Sequence, residues 1–395
     1  MSALRDDARL NASCDFGIEE EYLLVELASR RVLARPSKRV ARRCQDVMGA
    51  YLSEEMFRSQ IEIASPILTS LHQARSFFSN SRQRLIQALG EEGVGLYCAA
   101  SHPDAQWLRQ LPRLTGHYRQ VFDDYQHVAR RSLLSGLHVH VGLAPECDRM
   151  QLINRLLYWA PLLLVLSTSS PFWGGQATGY MSYRRVICGE WPHMGLPESL
   201  ADWPAYLRYR ALLERTGALD RQGDFWWVIR PSQRYPTVEL RICDACPRLE
   251  DALCIAGLFR HMVECLALDG QGPIDERAEL RWVTQENYWR ALRYGRDGQY
   301  LGVNGHQPVC ASAWLMQAQA QFPVQTRDAE WAFQHAREIL IEGSSANRQQ
   351  ARYRHSLAQG QQPRQALRSV VDLVLEEAGM ALCQAVEEEH SVFRC

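Results

Sequence analysis

The stretch 15–26 of this chain carries Glu19 and Glu21, 60–64 carries Glu62, 137–142 carries His138 and His140, and 237–243 carries Glu239 and Arg241. In an extended strand, alternate side chains point to opposite faces. Applied to these stretches, the rule puts Ile18, Tyr22 and Leu24 on one face with Glu20, and does the same for Ile61 and Ile63, for Leu137, Val139 and Val141, and for Val238, Leu240 and Ile242. The other acidic and basic side chains fall on the opposite side. If the four stretches pair in one sheet, Glu19, Glu21, Glu62, His138, His140, Glu239 and Arg241 converge on a common floor. Carboxylates crowded in this way resist ionisation unless cations neutralise them. Hard divalent cations do so through oxygen ligands, and magnesium typically joins carboxylates to phosphate oxygens. A histidine among the donors also suits manganese. The alternative is a sheet with an ordinary solvated face, which would mix Lys, Ser and Thr with its Glu; none of the four stretches contains Lys.

The elements around these strands read as helices. Apolar residues recur with helical period over Leu71–Leu89, Met150–Leu166, Leu249–Leu268, Glu276–Arg293, Asp328–Ile341 and Arg364–Glu387. The last hundred residues are almost wholly helical in pattern. Asn304–Pro308 is the best candidate seam, but it is short. The expectation is therefore an α+β catalytic unit over residues 1–300, with 301–395 a helical C-terminal part of the same unit.

Composition narrows the function. Of 395 residues, 46% are hydrophobic and 23% charged, which supports a sizeable core. The formal net charge of −1 gives no pull towards nucleic acid or an anionic membrane. The apolar run from Leu152 to Leu166 is interrupted by Asn154, Arg155 and Pro161, too short and broken to span a bilayer, so it reads as a buried helix. The N-terminus lacks the apolar centre of a signal peptide. The twelve cysteines are accordingly expected as reduced thiols in a cytoplasmic protein. Cys243 and Cys246 form a lone Cys-x-x-Cys with no second pair for zinc, and read as ordinary thiols. The basic stretch Arg30–Arg43 reads as a solvated loop and helix face.

Motifs along the first 300 residues resemble those of a known family. Gly17-Ile-Glu-Glu-Glu-Tyr22, Gln60-Ile-Glu-Ile-Ala-Ser-Pro66, Ser101-His-Pro103, Gly136-Leu-His-Val-His-Val-Gly142, Ser169-Ser-Pro171, Arg230-Pro-Ser, Pro236-Thr-Val-Glu239-Leu-Arg241 and Arg293-Tyr-Gly295 look like signatures of the bacterial carboxylate–amine ligases of the glutamate–cysteine ligase type 2 family. Gly343-Ser-Ser-Ala346 looks like a signature of their helical tail. The resemblance implies a glutamine-synthetase-like fold: a curved, mostly antiparallel sheet whose concave face is a funnel, with helices on the convex side. It implies ATP and Mg2+ as cofactors, with Mn2+ as a substitute, and small amino-acid or amine substrates. ATP phosphorylates a carboxylate, and an amine displaces phosphate from the acyl phosphate; L-glutamate and L-cysteine are the reference pair. It also implies a homodimer.

Carried over by position, the resemblance implies metal ligation by Glu19, Glu21, Glu62, His138 and Glu239, with Glu55 a further acidic candidate. Arg241 and Arg230 would stabilise the transferring phosphoryl group or clamp a carboxylate, since the guanidinium fork suits both; a salt bridge to a neighbouring carboxylate is the other reading of each. The loop 171–185, polar and flexible in composition, would supply substrate contacts through Ser182 and Arg184. His102 would approach the nucleotide or simply turn the chain before Pro103. Trp226 and Trp227 read as packing residues. Two other functions fit the same fold: a guanidino or phosphagen-type kinase, and a non-catalytic ATP-binding descendant.

Overall fold

In a computed structural model, residues 14–219, 225–268, 278–302 and 307–392 are described, with side chains to residue 379. The framework is a seven-stranded sheet. Its strands are β1 (Phe16–Glu26), β2 (Leu52–Glu54), β3 (Gln60–Ala64), β4 (Val94–Tyr97), β5 (Leu137–Gly142), β6 (Ile229–Pro231) and β7 (Thr237–Leu240). The order is β6-β7-β5-β1-β3-β2, and every pairing is antiparallel. β1 is the centre: β3 takes one edge, while β5 and β4 share the other, end to end. Pro231, which has no N–H for a second neighbour, sits where a sheet tolerates it, on the edge strand β6.

The face carrying Ile18, Tyr22, Leu24, Ile61, Ile63, Val139, Val141, Val238 and Leu240 is buried in the main core. Helices α1 (Leu71–Gly90) and α6 (Leu249–Leu268) cover it. Ser70 caps α1 by accepting from the Gln73 amide at 3.3 Å, and Leu71, Ala74, Phe78, Leu85 and Leu89 turn one stripe inward. α6 lies in the middle of the molecule, buried on almost every side. Glu20, which alternation places on this apolar face, is 2% exposed and survives there because Arg82 of α1 grips it, Nε to Oε2 at 3.0 Å and Nη2 to Oε1 at 2.6 Å. The Tyr22 hydroxyl donates to the same carboxylate. The opposite face is polar only along the first half of β1. Beyond Glu21, Leu23 and Val25 enter a second, smaller core with Phe57, Tyr97, Phe122 and Val374, so the polar strip ends there.

Three expectations need correction. The pattern over Met150–Leu166 is two helices, α3 (Arg149–Leu156) and α4 (Ala160–Ser167), bent by 59°. Pro161 lacks the N–H that would continue the first helix, but is accommodated at the start of the second. Asp148 caps α3 through the amides of Met150 and Gln151. The fourth strand, expected to run to Cys243, ends at Leu240; residues 241–243 stay beside β5 and β6 through single bonds, Arg241 N to Val228 O and Leu137 N to Cys243 O. The loop 171–185 is not loose. Phe172–Trp173 pairs with Gln176–Ala177 around Gly174 and Gly175, whose φ of 58° and 82° suit glycine, and α5 (Tyr183–Cys188) follows.

The other helical expectations are met within a few residues, at Ala278–Tyr294, α7 (Arg327–Glu342) and α9 (Pro363–Val392), although 276 and 277 lie outside the described residues. At the expected seam, 304–306 also lie outside them, and Pro308 pairs with Leu301 in a short hairpin. α8 (Ser345–Ala358) starts from the Gly343–Ala346 signature, where Ser344 and Asn347 form a capping box and the Ser344 hydroxyl meets that of Thr168 at 2.7 Å. Buried ion pairs fasten this tail to α6: Arg348 bridges Glu377 of α9, at 2.6 Å, and Asp251, at 3.2 Å. Of the basic stretch, Arg39 and Arg43 pair with Glu91 and Glu92, while Arg30 reaches Asp372 of α9 at 2.5 Å. Among the described residues no single helix is long and apolar enough to cross a membrane; the bent pair α3–α4 contributes to the core.

Candidate functional site

Register delivers the polar side chains to one place. Glu21 stands opposite Glu62 across β1 and β3, Glu19 opposite His138 across β1 and β5, and Glu239 opposite His140 across β7 and β5, with Arg230 opposite Glu239 from β6. His138 Nδ1 lies 3.2 Å from Glu19 Oε2, and its Nε2 lies 3.7 Å from Glu21 Oε1. His140 Nε2 lies 3.4 Å from Glu19 and 3.8 Å from Glu239. Two sets of donors overlap at His138: Glu19, His138 and Glu239, and Glu21, Glu62 and His138. In each set one donor atom per residue falls within 4.8 Å of the others. His138 is 3% exposed, yet its buried Nε2 has no hydrogen-bond partner. A buried nitrogen flanked by carboxylate oxygens and left unpaired is a donor arrangement that fits a divalent cation.

Electrostatics separates the carboxylates into two groups. Burial, then the neighbouring Glu21, pushes Glu55 up to about 8. Burial together with Glu55, Glu19 and Glu21 pushes Glu62 well above the usual carboxylate range. Glu55 thus holds its proton at neutral pH because too little positive charge faces it, and Glu62 is shifted in the same direction. Glu239 behaves oppositely. Burial works against its ionisation, but Arg241 and Arg230 overcome it and hold the carboxyl at about 2. Arg230 grips it with Nε to Oε2 at 2.6 Å and Nη2 to Oε1 at 3.2 Å, and Arg241 Nη1 donates to Oε1. Glu19 is also held ionised: burial opposes it, but hydrogen bonds from His138 and His140 prevail. The salt-bridge reading of the two arginines is thus what is seen, and it places both guanidinium groups in the cleft.

The structure brings Glu19, Glu21, Glu55, Glu62, His138, Glu239, Arg230 and Arg241 together. Ser182 is fully buried and donates to Asp244 Oδ1 at 2.8 Å. Arg184 is 6% exposed and reaches the carbonyls of Ile242, at 3.3 Å, and Arg241, at 3.4 Å. His102 stands apart, its Nε2 2.8 Å from Arg30 O and its Nδ1 accepting from the Asp104 amide at 3.2 Å; no hydrogen bond or ion pair links it to the carboxylates among the described residues. Burial lowers it to about 4, so it is neutral, as the turn-forming reading requires. Trp227 stacks on Phe225, and Trp226 packs on Tyr125 and Trp191. The thiols of Cys243 and Cys246 are buried; burial pushes Cys243 up to about 12 and Cys246 well above its ordinary value, the reverse of a reactive pair.

Three contributors escape the sequence pattern. Tyr118 donates to Glu54 O at 3.1 Å from helix α2 (Gly116–Arg131) and feels Glu55, Glu62 and Glu21. Arg113 Nε donates to Glu55 O at 3.1 Å. Arg113 sits on irregular chain, and Tyr118 stands in the first turn of a helix whose apolar pattern does not mark it as a cleft residue. Asp244 lies just past β7, where the alternation that located Glu239 and Arg241 has ended.

Comparison with known proteins identifies the family. Residues 15–373 match the model of glutamate-cysteine ligase family 2. A Pseudomonas entomophila protein named "Putative glutamate–cysteine ligase 2" is 64% identical over 362 residues, 92% of this chain and 95% of that one. A Pseudomonas putida protein of the same name is 63% identical over 358 residues, 91% and 97% of the two chains. Among solved structures, a Francisella tularensis glutamate–cysteine ligase in complex with AMP superposes with a TM-score of 0.63 at 12% identity, covering 95% of this chain and 94% of that one. A bifunctional glutathione synthetase from Pasteurella multocida superposes with a TM-score of 0.67 at 15% identity, covering 95% of this chain and 54% of that one. At such identities the structures show the fold alone: the mixed helices and antiparallel sheet of those two proteins. By the family match and by its curated relatives, the chain belongs to glutamate-cysteine ligase family 2.

Proposed function

We propose that this protein is an ATP-dependent carboxylate–amine ligase that forms an amide through an acyl phosphate, with glutamate and cysteine as the reference substrates. The observation that carries the reading is the pair of donor sets that share His138, whose buried Nε2 has no hydrogen-bond partner, with Arg230 and Arg241 on the neighbouring Glu239. His138 would hold a divalent cation either with Glu19 and Glu239 or with Glu21 and Glu62, with Glu55 beside them; Mg2+, or Mn2+ in its place, would neutralise the charge of the ATP phosphates.

The chain's own residues divide the remaining work. Phosphoryl transfer depends mostly on positioning and on neutralising the moving group. Arg230 and Arg241 keep Glu239 ionised at neutral pH and set two guanidinium groups where negative charge develops. Leu23 and Val25, which continue the β1 face of Glu19 and Glu21 into the second core with Phe57 and Phe122, give the site an apolar border that would help keep water from an acyl phosphate. His140, held between Glu19 and Glu239 with its Nδ1 3.1 Å from the Thr237 hydroxyl, fixes the spacing of the two carboxylates.

The test is Mg2+-dependent release of ADP and phosphate that requires both an acid and an amine, measured with glutamate and cysteine and then with a panel of amino acids and amines. Glu239→Ala is expected to lower turnover at least 100-fold. Unchanged turnover in that variant would remove Glu239 from the centre, and turnover without an acceptor amine would remove the ligase reading. A homodimer and a cytoplasmic location remain part of the proposal, the first read by sedimentation.

A further inference from the structure

Asp244 is fully buried beside the cleft and is not one of its cation ligands. Its Oδ2 accepts from the Ser169 amide at 3.0 Å and the Ser170 hydroxyl at 2.8 Å, and its Oδ1 accepts from the Ser182 hydroxyl at 2.8 Å. Arg184 Nη1 lies 3.8 Å from Oδ1. The Ser170 hydroxyl also accepts from the Arg184 amide at 3.0 Å. One carboxylate therefore ties both ends of the 169–184 segment to the chain that leaves β7 just after Arg241. Burying a charge is costly unless it is paired and hydrogen-bonded, and here each partner comes from the segment that carries Arg184.

That guanidinium is aimed. Its two Nη atoms donate to Ile242 O and Arg241 O, and Nη2 lies against the bare Cα of Gly136. A methyl group on Gly136 would collide with Arg184 Nη2 and lie 3.0 Å from His138 Nε2. Arg184 and the unpartnered nitrogen of His138 thus border the same small space, which exists because residue 136 has no side chain.

We propose that Asp244 is a positioning residue: it holds Arg184 beside His138, where the guanidinium meets an anionic oxygen of the bound substrates, and Ser182 acts through Asp244 rather than on the substrate. This rests on the ligase reading above. Hydrogen bonds to charged groups are the strong ones, and the fixed fork of Arg makes their direction matter.

The experiment is a double-mutant cycle on Mg2+- and acceptor-dependent ADP release, with Asp244→Asn, Arg184→Ala and the double variant, and with folding checked by circular dichroism. Asp244→Asn is expected to lower kcat/KM at least about ten-fold in the wild type, and less than about two-fold when Arg184 is already Ala. Equal losses in both backgrounds, or no loss in the wild type, would overturn the proposal. Should Asp244→Asn fail to fold, Ser182→Ala removes one donor to the Asp244 carboxylate without touching the cleft carboxylates or His138; it is expected to lower kcat/KM in the wild type and not when Arg184 is already Ala, and equal losses in the two backgrounds, or no loss in the wild type, would equally overturn the proposal. Absence of ADP release from the wild type sinks the ligase reading and this proposal together, whereas independent losses in an active enzyme sink the proposal alone.

Discussion

Cation binding to the cleft is expected to expel protons. Glu55 is pushed up to about 8, so it holds a proton at pH 7 that a divalent cation must displace, and Glu62 is shifted upward beside it. A group with pKa about 8 is about nine-tenths protonated at pH 7, so Glu55 releases about 0.9 proton per cation. By linkage, the logarithm of the Mg2+ association constant rises by at least about 0.9 per pH unit near pH 7 and flattens above pH 8. Stability of the cation-free protein moves the other way. An acid whose folded pKa exceeds its unfolded value binds extra protons in the folded state between the two, so stability in EDTA falls as pH rises from about 4.5 to about 8, and Mg2+ restores it. The assay is calorimetric titration of Mg2+ at pH 7 in MOPS and in Tris, whose ionisation enthalpies differ; the difference in observed heat gives the proton count. Equal heats in the two buffers, with affinity independent of pH from 6 to 8, would show that the carboxylates are already ionised and that the crowding inferred from the structure is absent.

Two further outcomes follow from groups outside the cleft. Arg82→Met leaves Glu20 buried without its cation and is expected to destabilise the fold by about 3–5 kcal/mol, read as a lowered midpoint in urea, because breaking a buried pair strands a charge; an unchanged midpoint would contradict the burial of Glu20. In the native protein, Cys243 and Cys246 are expected to react with a thiol reagent at least 100-fold more slowly than the exposed Cys310, since burial raises their pKa and blocks access; equal rates, read by peptide mass mapping, would refute this.

Much of the cleft was legible because strand alternation is a strong rule. Glu19, Glu21, Glu62, His138 and Glu239 each lie on a short, strictly alternating stretch whose apolar face had to go inward, and the boundaries of β3 and β5 match the expected ones residue for residue. Arg241 was located by the same rule even though β7 ends before it, because its guanidinium still reaches Glu239. Where periodicity ends, legibility ends too. Asp244, Arg113 and Tyr118 sit on irregular chain or on a helix facing the cleft from above, and their aim depends on tertiary packing. The two-helix break at Pro161 was visible as a proline, but its apolar surroundings suit one long buried helix equally well. Ser182 and Arg184 entered by resemblance alone, and only the folded chain shows that the serine hydroxyl is turned to Asp244.

The run of three glutamates in β1 has a consequence for how the strand finds its place. Because its middle member needs Arg82 beneath the sheet while the outer two need the cleft, the strand carries its own frame marker. Sliding β1 by a single position would drive two carboxylates into the greasy layer and strand Arg82, a mispairing penalised by several kcal/mol. A one-residue insertion or deletion early in β1 would turn Glu19 and Glu21 out of the cleft together, leaving Glu62, His138 and Glu239 on their own strands without them.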